Sequence, residues 1–367
     1  MMSDSAPIRI LDASLNRAAE GLRVVEDYVR FVLDDRHLTE QFKQLRHDLA
    51  AAGSQLPLPE RHAARDTRSD VGTTVSTPSE GTRREAWEVC IASLERVKQS
   101  LRSLEEFSKV SLPAVAAEFE RLRYWLYTLE AAVGRTVDAN ERLGEARLYV
   151  LVDGCDSEAA FAALVDQLIA ARVGVIQLRD KRLDDRELIA RARQLVAACQ
   201  TPSPHTPPIS PDLARSGLAP TRSSPLVIIN DRPDVAAIVG ADGVHLGQDD
   251  MRVKDARAIV GPRQLIGVST HSIEQARAAV LDGANYLGVG PTFPSQTKSF
   301  DAFPGLDFVQ QVAAEIRLPA FAIGGITQQN VGEVAAAGLR RIAVASAVTA
   351  APRPQAAAEA LRTALHQ

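Results

Sequence analysis

The stretch LVIINDRPDVAAIVGADGVHLGQDD, residues 226–250, decides the fold class because it contains two short apolar runs, each closed by polar residues. The runs LVIIN (226–230) and GVHLG (243–247) have the length of buried strands. A carboxylate follows each run, Asp231 after the first and Asp250 after the second. The pattern predicts two successive strands joined by a helix, each with an acid at its exit.

The same rhythm extends over residues 145–367. Eight strand–helix units in roughly 220 residues predict an α/β fold, a (β/α)8 TIM barrel near its minimum size. A doubly wound open sheet is the competing fold, but no Gly-x-Gly-x-x-Gly follows the first strand, so a dinucleotide site has no support. The eight runs are RLYVLVD, GVIQLRD, LVIIND, GVHLG, QLIGVST, YLGVGPTF, PAFAIGG and RIAVAS.

One segment, residues 200–225, interrupts the barrel rhythm with a run rich in proline and serine. Its composition predicts an insertion with little fixed structure. Because it joins a helix to a strand, we expect it on the face opposite the active site.

Residues 1–140 have a helical period and predict an all-α helical bundle that precedes the barrel. In SLNRAAEGLRVVEDYVRFVLDD, one apolar stripe runs from Leu15 to Val32, as an amphipathic helix requires. Three further amphipathic segments are LTEQFKQLRHDLAAA, RREAWEVCIASLERVKQSLRSLEEFSK and AVAAEFERLRYWLYTLEAAV.

An internal repeat is visible within this helical half. The pattern Leu15-x-Arg17-x4-Leu22-Arg23-x2-Glu26 recurs 79 residues later, and Phe42-x2-Leu45-Arg46 recurs 77 residues later. Two helices that agree on nearly one offset favour a duplicated helix pair over a chance alignment.

Composition excludes several classes of partner. The chain is 46% hydrophobic and 24% charged with a net charge of −4, which gives no electrostatic reason to expect nucleic acid or an anionic membrane. The cysteines lack metal-ligand spacing and are expected to be thiols in a reducing compartment. No signal peptide and no bilayer-length apolar run is visible, so we expect a cytoplasmic protein. The sequence does not indicate the oligomeric state and leaves a homo-oligomer open.

The residues at the carboxyl ends of the strands form a rim of mixed charge. Asp231 and Asp250 follow adjacent strands and can share one divalent cation, and Mg²⁺ suits a few hard oxygen ligands completed by phosphate and water. Alternatively, each Asp caps the following helix. The cations on the same rim favour the metal. The rim residues are Gln177, Arg179, Lys181, Asn230, Asp231, Asp250, Ser269, Thr297, Lys298, Gly325 and Ser346.

The last two strands end in AIGG and VASA, and loops at these places in barrels commonly bind phosphate through backbone N–H groups. A tight turn would also need the glycines. Two phosphate sites on one rim, one with a metal and one without, indicate two phosphorylated substrates.

Seven pieces now match one family in the same order: QLRDK, ND, GVHLGQDD, GVSTHS, GPTFPSQTK, AIGGI and VASA. Over about residues 147–365 the chain resembles thiamine-phosphate synthase. The resemblance implies a Mg²⁺-dependent transferase that joins 4-amino-2-methyl-5-hydroxymethylpyrimidine diphosphate to thiazole phosphate and releases pyrophosphate.

The resemblance also implies a role for each matching residue. Asp231 and Asp250 would hold Mg²⁺, and the catalytic set would be Arg179, Lys181, Ser269 and Lys298. The family often has Thr at the position of Ser295 and a larger aliphatic residue at that of Ala345. The substrate contacts would be Gln177, Leu178, Arg179, Asp180, Lys181, Asn230, Ser269, Ser295, Gln296, Thr297, Lys298, Gly325, Ala345 and Ser346.

Two other functions stay open for the barrel. A thiazole tautomerase-like paralogue would share the thiazole-phosphate loops without needing the diphosphate set, and a non-catalytic regulatory scaffold would need neither. The intact rim favours the synthase. The reaction needs no protein base, so His245 and His271 are expected to be structural or to line the site.

The helical half resembles a family that accompanies this synthase and is proposed to phosphorylate the pyrimidine monophosphate. The matching pieces are NRAAEGLRVVED and RDTRSDVG. A kinase would bind ATP without a P-loop, which this chain lacks. A dimerisation or docking bundle is the equal alternative. In a kinase, Arg23, Arg65 and Arg68 could bind phosphate groups. Mg²⁺ could be bound by Glu20, Asp27, Asp66 or Asp70.

Overall fold

The computed structural model describes residues 5–65, 82–200, 224–294 and 304–366. The chain divides into two compact units, Met1–Val133 and Gly134–Gln367. Within the described ranges, no helix combines the length and the apolar character that spanning a membrane requires.

The first unit is a helical bundle. Its helices are α1 (Ser5–Phe31), α2 (Arg36–Ser54), α3 (Leu58–Ala64), α4 (Ala86–Ser111) and the larger part of α5 (Pro113–Leu143). The short helix α3 has no counterpart in the sequence prediction. Helix α1 packs chiefly against α4 and α2.

The apolar stripe of α1 is buried except at its end. Leu22, Val25 and Val29 are fully buried, but Val32 is 57% exposed. The prediction was wrong at Val32 because α1 ends at Phe31, and Asp35 then caps α2 by accepting a hydrogen bond from the Leu38 N–H at 2.7 Å.

Equivalent ion pairs support the duplicated helix pair. Arg46 Nε donates to Glu26 Oε2 at 2.8 Å, and Arg123 Nε donates to Glu105 Oε2 at 2.8 Å. Both glutamates are buried, and the repeat places the two pairs at equivalent positions. The agreement therefore extends from the sequence pattern to the contacts between helices.

The second unit is a closed barrel of eight parallel strands, which confirms the predicted fold class and excludes the open sheet. The first strand pairs with the last, with Leu148 opposite Ile342. The strands are β1 (Leu148–Val152), β2 (Val175–Leu178), β3 (Leu226–Asn230), β4 (Gly243–Leu246), β5 (Leu265–Thr270), β6 (Tyr286–Val289), β7 (Ala320–Ile323) and β8 (Ile342–Val344).

Helices follow the strands around the barrel. They are α6 (Glu158–Ala170), α7 (Asp185–Gln200), α8 (Pro233–Val239), α9 (Val253–Val260), α10 (Ile273–Leu281), α11 (Gly305–Glu315), α12 (Val331–Ala336), α13 (Ser346–Thr349) and α14 (Pro354–Ala364). Nearly all of the predicted insertion at 200–225 lies outside the described residues.

The barrel interior is filled by aromatic rings. Tyr149, Tyr286 and Phe321 are buried, and their ring centroids lie 5.2–6.0 Å apart. Gly267 on the neighbouring strand makes this packing possible, because a Cβ there would lie 2.0 Å from the Tyr286 ring. The rings form the floor beneath the carboxyl ends of the strands.

Candidate active site

The carboxyl ends of the strands surround a cavity of about 510 Å³. Its lining comes from most strands of the barrel, as expected for a TIM-barrel active site. The structure therefore brings together residues that lie up to 169 positions apart in the sequence. The predicted residues that line this cavity are Gln177, Arg179, Asn230, Ser269, Gly325, Ala345 and Ser346.

Two carboxylates and a lysine lie together at the rim. The Asp231 side chain is within hydrogen-bonding reach of Asp250, and Lys181 Nζ lies 3.7 Å from Asp231 Oδ2. Burial and the neighbouring Asp250 raise the pKa of Asp231, while Lys181 and Arg179 offset part of that rise. Asp231 also has a φ of 59°, a conformation that is uncommon outside glycine and often found at functional sites.

The carboxylate pair fits Mg²⁺. Two acids held this close repel each other, and a divalent cation between them would remove the repulsion. Within the described part of the chain, no cluster of three or more His, Cys, Asp or Glu side chains is placed to hold a metal ion. A site with two protein carboxylates suits Mg²⁺, which keeps several waters and takes further oxygens from phosphate.

A chain of hydrogen bonds crosses the cavity floor. Gln177 Nε2 donates to the Tyr149 hydroxyl at 2.9 Å, and the two tyrosine hydroxyls lie 3.1 Å apart. His245 Nδ1 lies 3.2 Å from the Tyr286 hydroxyl, and His245 Nε2 lies 2.9 Å from Ser269 Oγ. These hydrogen bonds thus connect two predicted substrate contacts, Gln177 and Ser269, through the buried Tyr149 and Tyr286 and the half-buried His245.

His245 is neutral in this setting. Burial lowers its pKa to about 4. At neutral pH it therefore has one ring nitrogen that donates and one that accepts, and it can orient Ser269 and Tyr286 without carrying charge. The prediction that His245 lines the site agrees with this position. His271 also lines the cavity, with Nδ1 2.6 Å from the Gly290 carbonyl oxygen.

Asp180 supports the rim from below. Its carboxylate accepts hydrogen bonds from the backbone N–H groups of Gly154, Arg182 and Leu183 at 2.7–3.3 Å. Burial alone would raise the pKa of Asp180, but these bonds and the Arg182 side chain outweigh it and lower the pKa to about 2. Leu178 is buried in β2. The Leu178 side chain is thus part of the barrel wall, and the Asp180 carboxylate holds together the loops that follow β1 and β2.

The opposite side of the cavity is made by the ends of β7 and β8. Gly324 and Gly325 both have positive φ, 101° and 64°, and a Cβ on Gly325 would lie 2.7 Å from the Pro294 carbonyl oxygen. Asn330 fixes this turn, donating from Nδ2 to the Gly325 carbonyl at 2.9 Å. Ala345 and Ser346 lie at the start of α13 and also face the cavity.

Four of the predicted contacts, Ser295, Gln296, Thr297 and Lys298, lie outside the described residues. Their assignment stays a prediction. The described residues on either side, up to Pro294 and from Pro304, belong to the connection between β6 and α11.

Sequence reasoning missed the aromatic floor. Tyr149, Tyr286 and Phe321 line the cavity although none was assigned a role. A weak signal was present, because a tyrosine inside a buried strand usually has a hydrogen-bond partner for its hydroxyl. The strand runs RLYVLVD and YLGVGPTF each contain such a tyrosine.

The helical unit has a groove of its own, of about 900 Å³, between α1, α2 and α3. Glu20 and Arg23 line it, and Arg23 Nε lies 3.4 Å from Asp27. Arg65 is instead held by Asp12, whose pKa this ion pair lowers. The other predicted residues of this half, Asp66, Arg68 and Asp70, lie outside the described residues.

Two family models match the chain. The thiamine monophosphate synthase model matches residues 148–203 and 218–348, and the ThiD2 family model matches residues 9–132. The first match is interrupted between 203 and 218, within the segment predicted to be an insertion.

Curated relatives match both halves. The thiamine-phosphate synthase of Rhodopirellula baltica is 45% identical over 351 residues, covering 93% of this chain and 88% of that protein. The thiamine-phosphate synthase of Gloeobacter violaceus is 38% identical over 355 residues, covering 96% of this chain and 95% of that protein.

Among solved structures, a thiamine phosphate pyrophosphorylase from Pyrococcus furiosus is 30% identical with a TM-score of 0.50 and covers 61% of this chain and 97% of that one. A chain of that extent corresponds in size to the barrel unit. Fold, cavity and relatives agree, and the chain belongs to the thiamine-phosphate synthase family, as a transferase of thiamine biosynthesis with an N-terminal domain of the ThiD2 family.

Proposed function

We propose that the barrel joins the pyrimidine diphosphate to thiazole phosphate with release of pyrophosphate, and that it does so with Mg²⁺. The observation that carries this proposal is one cavity with two different ends. One end is lined by Arg179 and Asn230, and the Lys181–Asp231 pair and Asp250 lie beside it at the rim. The other end is lined by the Gly324–Gly325 turn and the start of α13. The two ends suit a metal-bound diphosphate and a second, metal-free phosphate.

The diphosphate end neutralises the leaving group. Arg179 and Lys181 carry positive charge at the rim, and Asp231 and Asp250 would hold the metal ion. Bound there, Mg²⁺ would supply charge neutralisation to the departing pyrophosphate. Lys298 and Ser269 would add contacts to the same group, and Gln177 and Asn230 would orient the pyrimidine ring.

The reaction is then a dissociative substitution. The bond between the methylene carbon and the pyrophosphate oxygen breaks, and its electron pair leaves with the oxygen. The electron-rich aminopyrimidine carries the developing positive charge until the thiazole nitrogen donates its lone pair to the methylene carbon. Neither step transfers a proton to the protein, which agrees with the lowered pKa of His245.

At the other end, the thiazole phosphate would bind backbone N–H groups near Gly325, Ala345 and Ser346. Asn330 supports this proposal because it holds the Gly325 turn in place. Ser295 and Thr297 would face the thiazole ring. The relatives, which are all named as synthases, favour this reaction over a tautomerase-like or purely regulatory barrel.

For the helical unit, we propose that it phosphorylates the pyrimidine monophosphate with ATP. The ThiD2 match over residues 9–132 supports this second activity, and it would produce the substrate of the barrel. A docking bundle is the alternative. The open groove in the described part of this unit favours a ligand-binding role over a purely structural one.

One experiment tests both activities. Purified full-length protein receives Mg²⁺ and thiazole phosphate, with pyrimidine diphosphate in one arm and pyrimidine monophosphate with or without ATP in the other. Thiamine phosphate in both arms, with strict ATP dependence in the second, is the expected result. Product from the diphosphate alone would contradict the kinase, and product in neither arm would contradict the synthase.

The metal assignment has a separate test. The double variant Asp231→Asn/Asp250→Asn keeps the size of both side chains but removes both charges. We expect loss of synthase activity at every Mg²⁺ concentration. Activity near the wild-type level would show that the metal binds elsewhere.

A further inference from the structure

The groove between α1 and α2 can be compared with the equivalent place in the second helix pair of the same unit. The internal repeat aligns Ala19 and Ala50, which line the groove, with Lys98 and Tyr127 in the second helix pair. There, Lys98 Nζ reaches Glu130 Oε1 at 2.8 Å, and the Tyr127 hydroxyl accepts a hydrogen bond from Arg123 at 3.2 Å. The Lys98–Glu130 ion pair thus joins α4 to α5, whereas the first pair has an alanine at the position equivalent to Lys98.

The features that the two helix pairs share are structural. The Arg46–Glu26 and Arg123–Glu105 ion pairs have the same atoms at the same distance, so they account for how each helix pair packs. Because both helix pairs have such an ion pair, the ion pairs do not explain the groove of the first pair. The two helix pairs differ in the side chains at the positions of Ala19 and Ala50. The first pair has two alanines, and the second has a lysine and a tyrosine that each have a bonding partner.

The groove has accessible basic side chains at one end and leucines at the other, where the buried Arg61 is engaged by Asp12 at 3.0 Å. Arg23 and Arg46 lie at the first, and Leu15, Leu56 and Leu58 lie at the second. Arg46 uses Nε for Glu26, which is one of the five N–H donors of a guanidinium, and Arg23 is half-exposed. Guanidinium groups of this kind suit phosphate oxygens.

The length of the groove suits a small ligand. At a rise of 1.5 Å per residue, Leu15 and Arg23 lie about 12 Å apart along α1. A flat ring can lie over Ala19 and Ala50, where no long side chain intervenes. Asn16 and Glu20 lie on the same helix and can accept hydrogen bonds from ring amino groups.

We propose that this groove binds a phosphate ester of a planar nitrogen heterocycle, with the phosphate at Arg23 and Arg46 and the ring over Ala19 and Ala50. This inference rests on the proposed kinase activity of the helical unit and names the site at which one of its two substrates binds. Both the pyrimidine monophosphate and ATP have this chemistry.

Binding to the full-length chain distinguishes the two sources. Calorimetric titrations use pyrimidine monophosphate in one arm and a non-hydrolysable ATP analogue in the other. The variant Ala50→Tyr introduces the tyrosine found at the equivalent position of the second helix pair. Ala51→Tyr is its matched control at an exposed position that does not line the groove. We expect Ala50→Tyr to raise the Kd of one ligand at least tenfold. Ala51→Tyr should leave the Kd of both ligands unchanged.

A charge variant gives an independent measurement. Arg23→Gln removes one cation from the groove, and Arg102→Gln removes the equivalent residue of the second helix pair with the same local ion pairs. Weaker binding in Arg23→Gln alone supports the site. Ligand binding by the barrel is common to all four variants and therefore cancels in the comparison. Synthase activity with the pyrimidine diphosphate checks that the barrel is unchanged.

The outcomes separate this inference from the kinase proposal. Binding in both arms that is equal in Ala50→Tyr, Arg23→Gln and their controls would overturn the groove as the site. Unchanged ATP-dependent phosphorylation in Ala50→Tyr would also overturn it while the kinase proposal stands. Groove-dependent binding without any ATP-dependent product would support the site and contradict the kinase.

Discussion

Replacing Tyr286 with phenylalanine tests the hydrogen-bond chain beneath the substrate. The ring is buried and fills space that Gly267 leaves for it, so Tyr286→Phe keeps the packing and removes only the hydroxyl. That hydroxyl lies 3.1 Å from the Tyr149 hydroxyl and 3.2 Å from His245 Nδ1. Its loss divides the chain between Gln177 and Ser269 into two separate pairs.

The expected magnitude follows from the partners that remain. Tyr149 keeps its bond from Gln177, but the half-buried His245 Nδ1 loses this partner, which costs about 1 kcal/mol. We expect the free energy of unfolding to fall by about that amount. The orientation of His245, and with it Ser269, becomes less defined, so transition-state stabilisation falls by about 1.4 kcal/mol, which is a tenfold lower kcat/KM.

The assay measures kcat/KM for the pyrimidine diphosphate at saturating thiazole phosphate, together with urea unfolding. Tyr127→Phe is the matched control, because it removes a hydroxyl that accepts a hydrogen bond from Arg123 in the helical unit. The control should leave synthase kinetics unchanged. If Tyr286→Phe kept kcat/KM within twofold of the wild type, the hydrogen bonds between Gln177 and Ser269 would have no positioning role.

Three further predictions concern the rim of the barrel. Asp250→Asn should raise the melting temperature in a chelating buffer by relieving repulsion with Asp231, and Mg²⁺ should no longer shift that temperature. A lower melting temperature of the variant in the chelating buffer would contradict repulsion between the two carboxylates. Gly325→Ala should raise KM for thiazole phosphate at least tenfold with little change for the diphosphate, because φ is +64° and the new Cβ would clash with Pro294; equal effects on both substrates would argue against a local phosphate turn. Asp180, with a pKa lowered to about 2, should add about 2 kcal/mol of stability that is fully present above pH 4 and is lost as pH falls towards 2. Urea unfolding curves of Asp180→Asn should lack this loss. The same pH dependence of stability in both proteins would refute the prediction.

The strands and the rim could be predicted from the sequence because their signals are local. Each strand is a short apolar run, and each rim residue follows the end of its own run, so a closed barrel alone brings Arg179, Asn230 and Ser269 to one cavity. The closure itself depends on pairing between β1 and β8, which are separated by almost the whole domain.

The features that could not be predicted depend on distant partners or on the exact end of an element. Val32 continues the apolar period of α1 but lies beyond its last residue, so it is exposed. Asp180 stands between two rim cations in the sequence, yet its side chain binds backbone N–H groups of its own and the neighbouring loop. No local pattern distinguishes a carboxylate that faces a ligand from one that holds a turn.

We expect the hydrogen-bond chain in the barrel floor to position side chains rather than to stabilise the fold. Buried hydroxyl and imidazole groups gain little net stability even when all are hydrogen-bonded, and apolar side chains of the same shape would serve the core as well. The chain nevertheless joins the end of β2 to the end of β5 through Tyr149, Tyr286 and His245. Its two ends, Gln177 and Ser269, are the side chains expected to contact the pyrimidine and its diphosphate. A rigid link between them would fix the ring relative to the leaving group. The proposed dissociative substitution requires this, because the cation would have to form where the thiazole nitrogen can reach it.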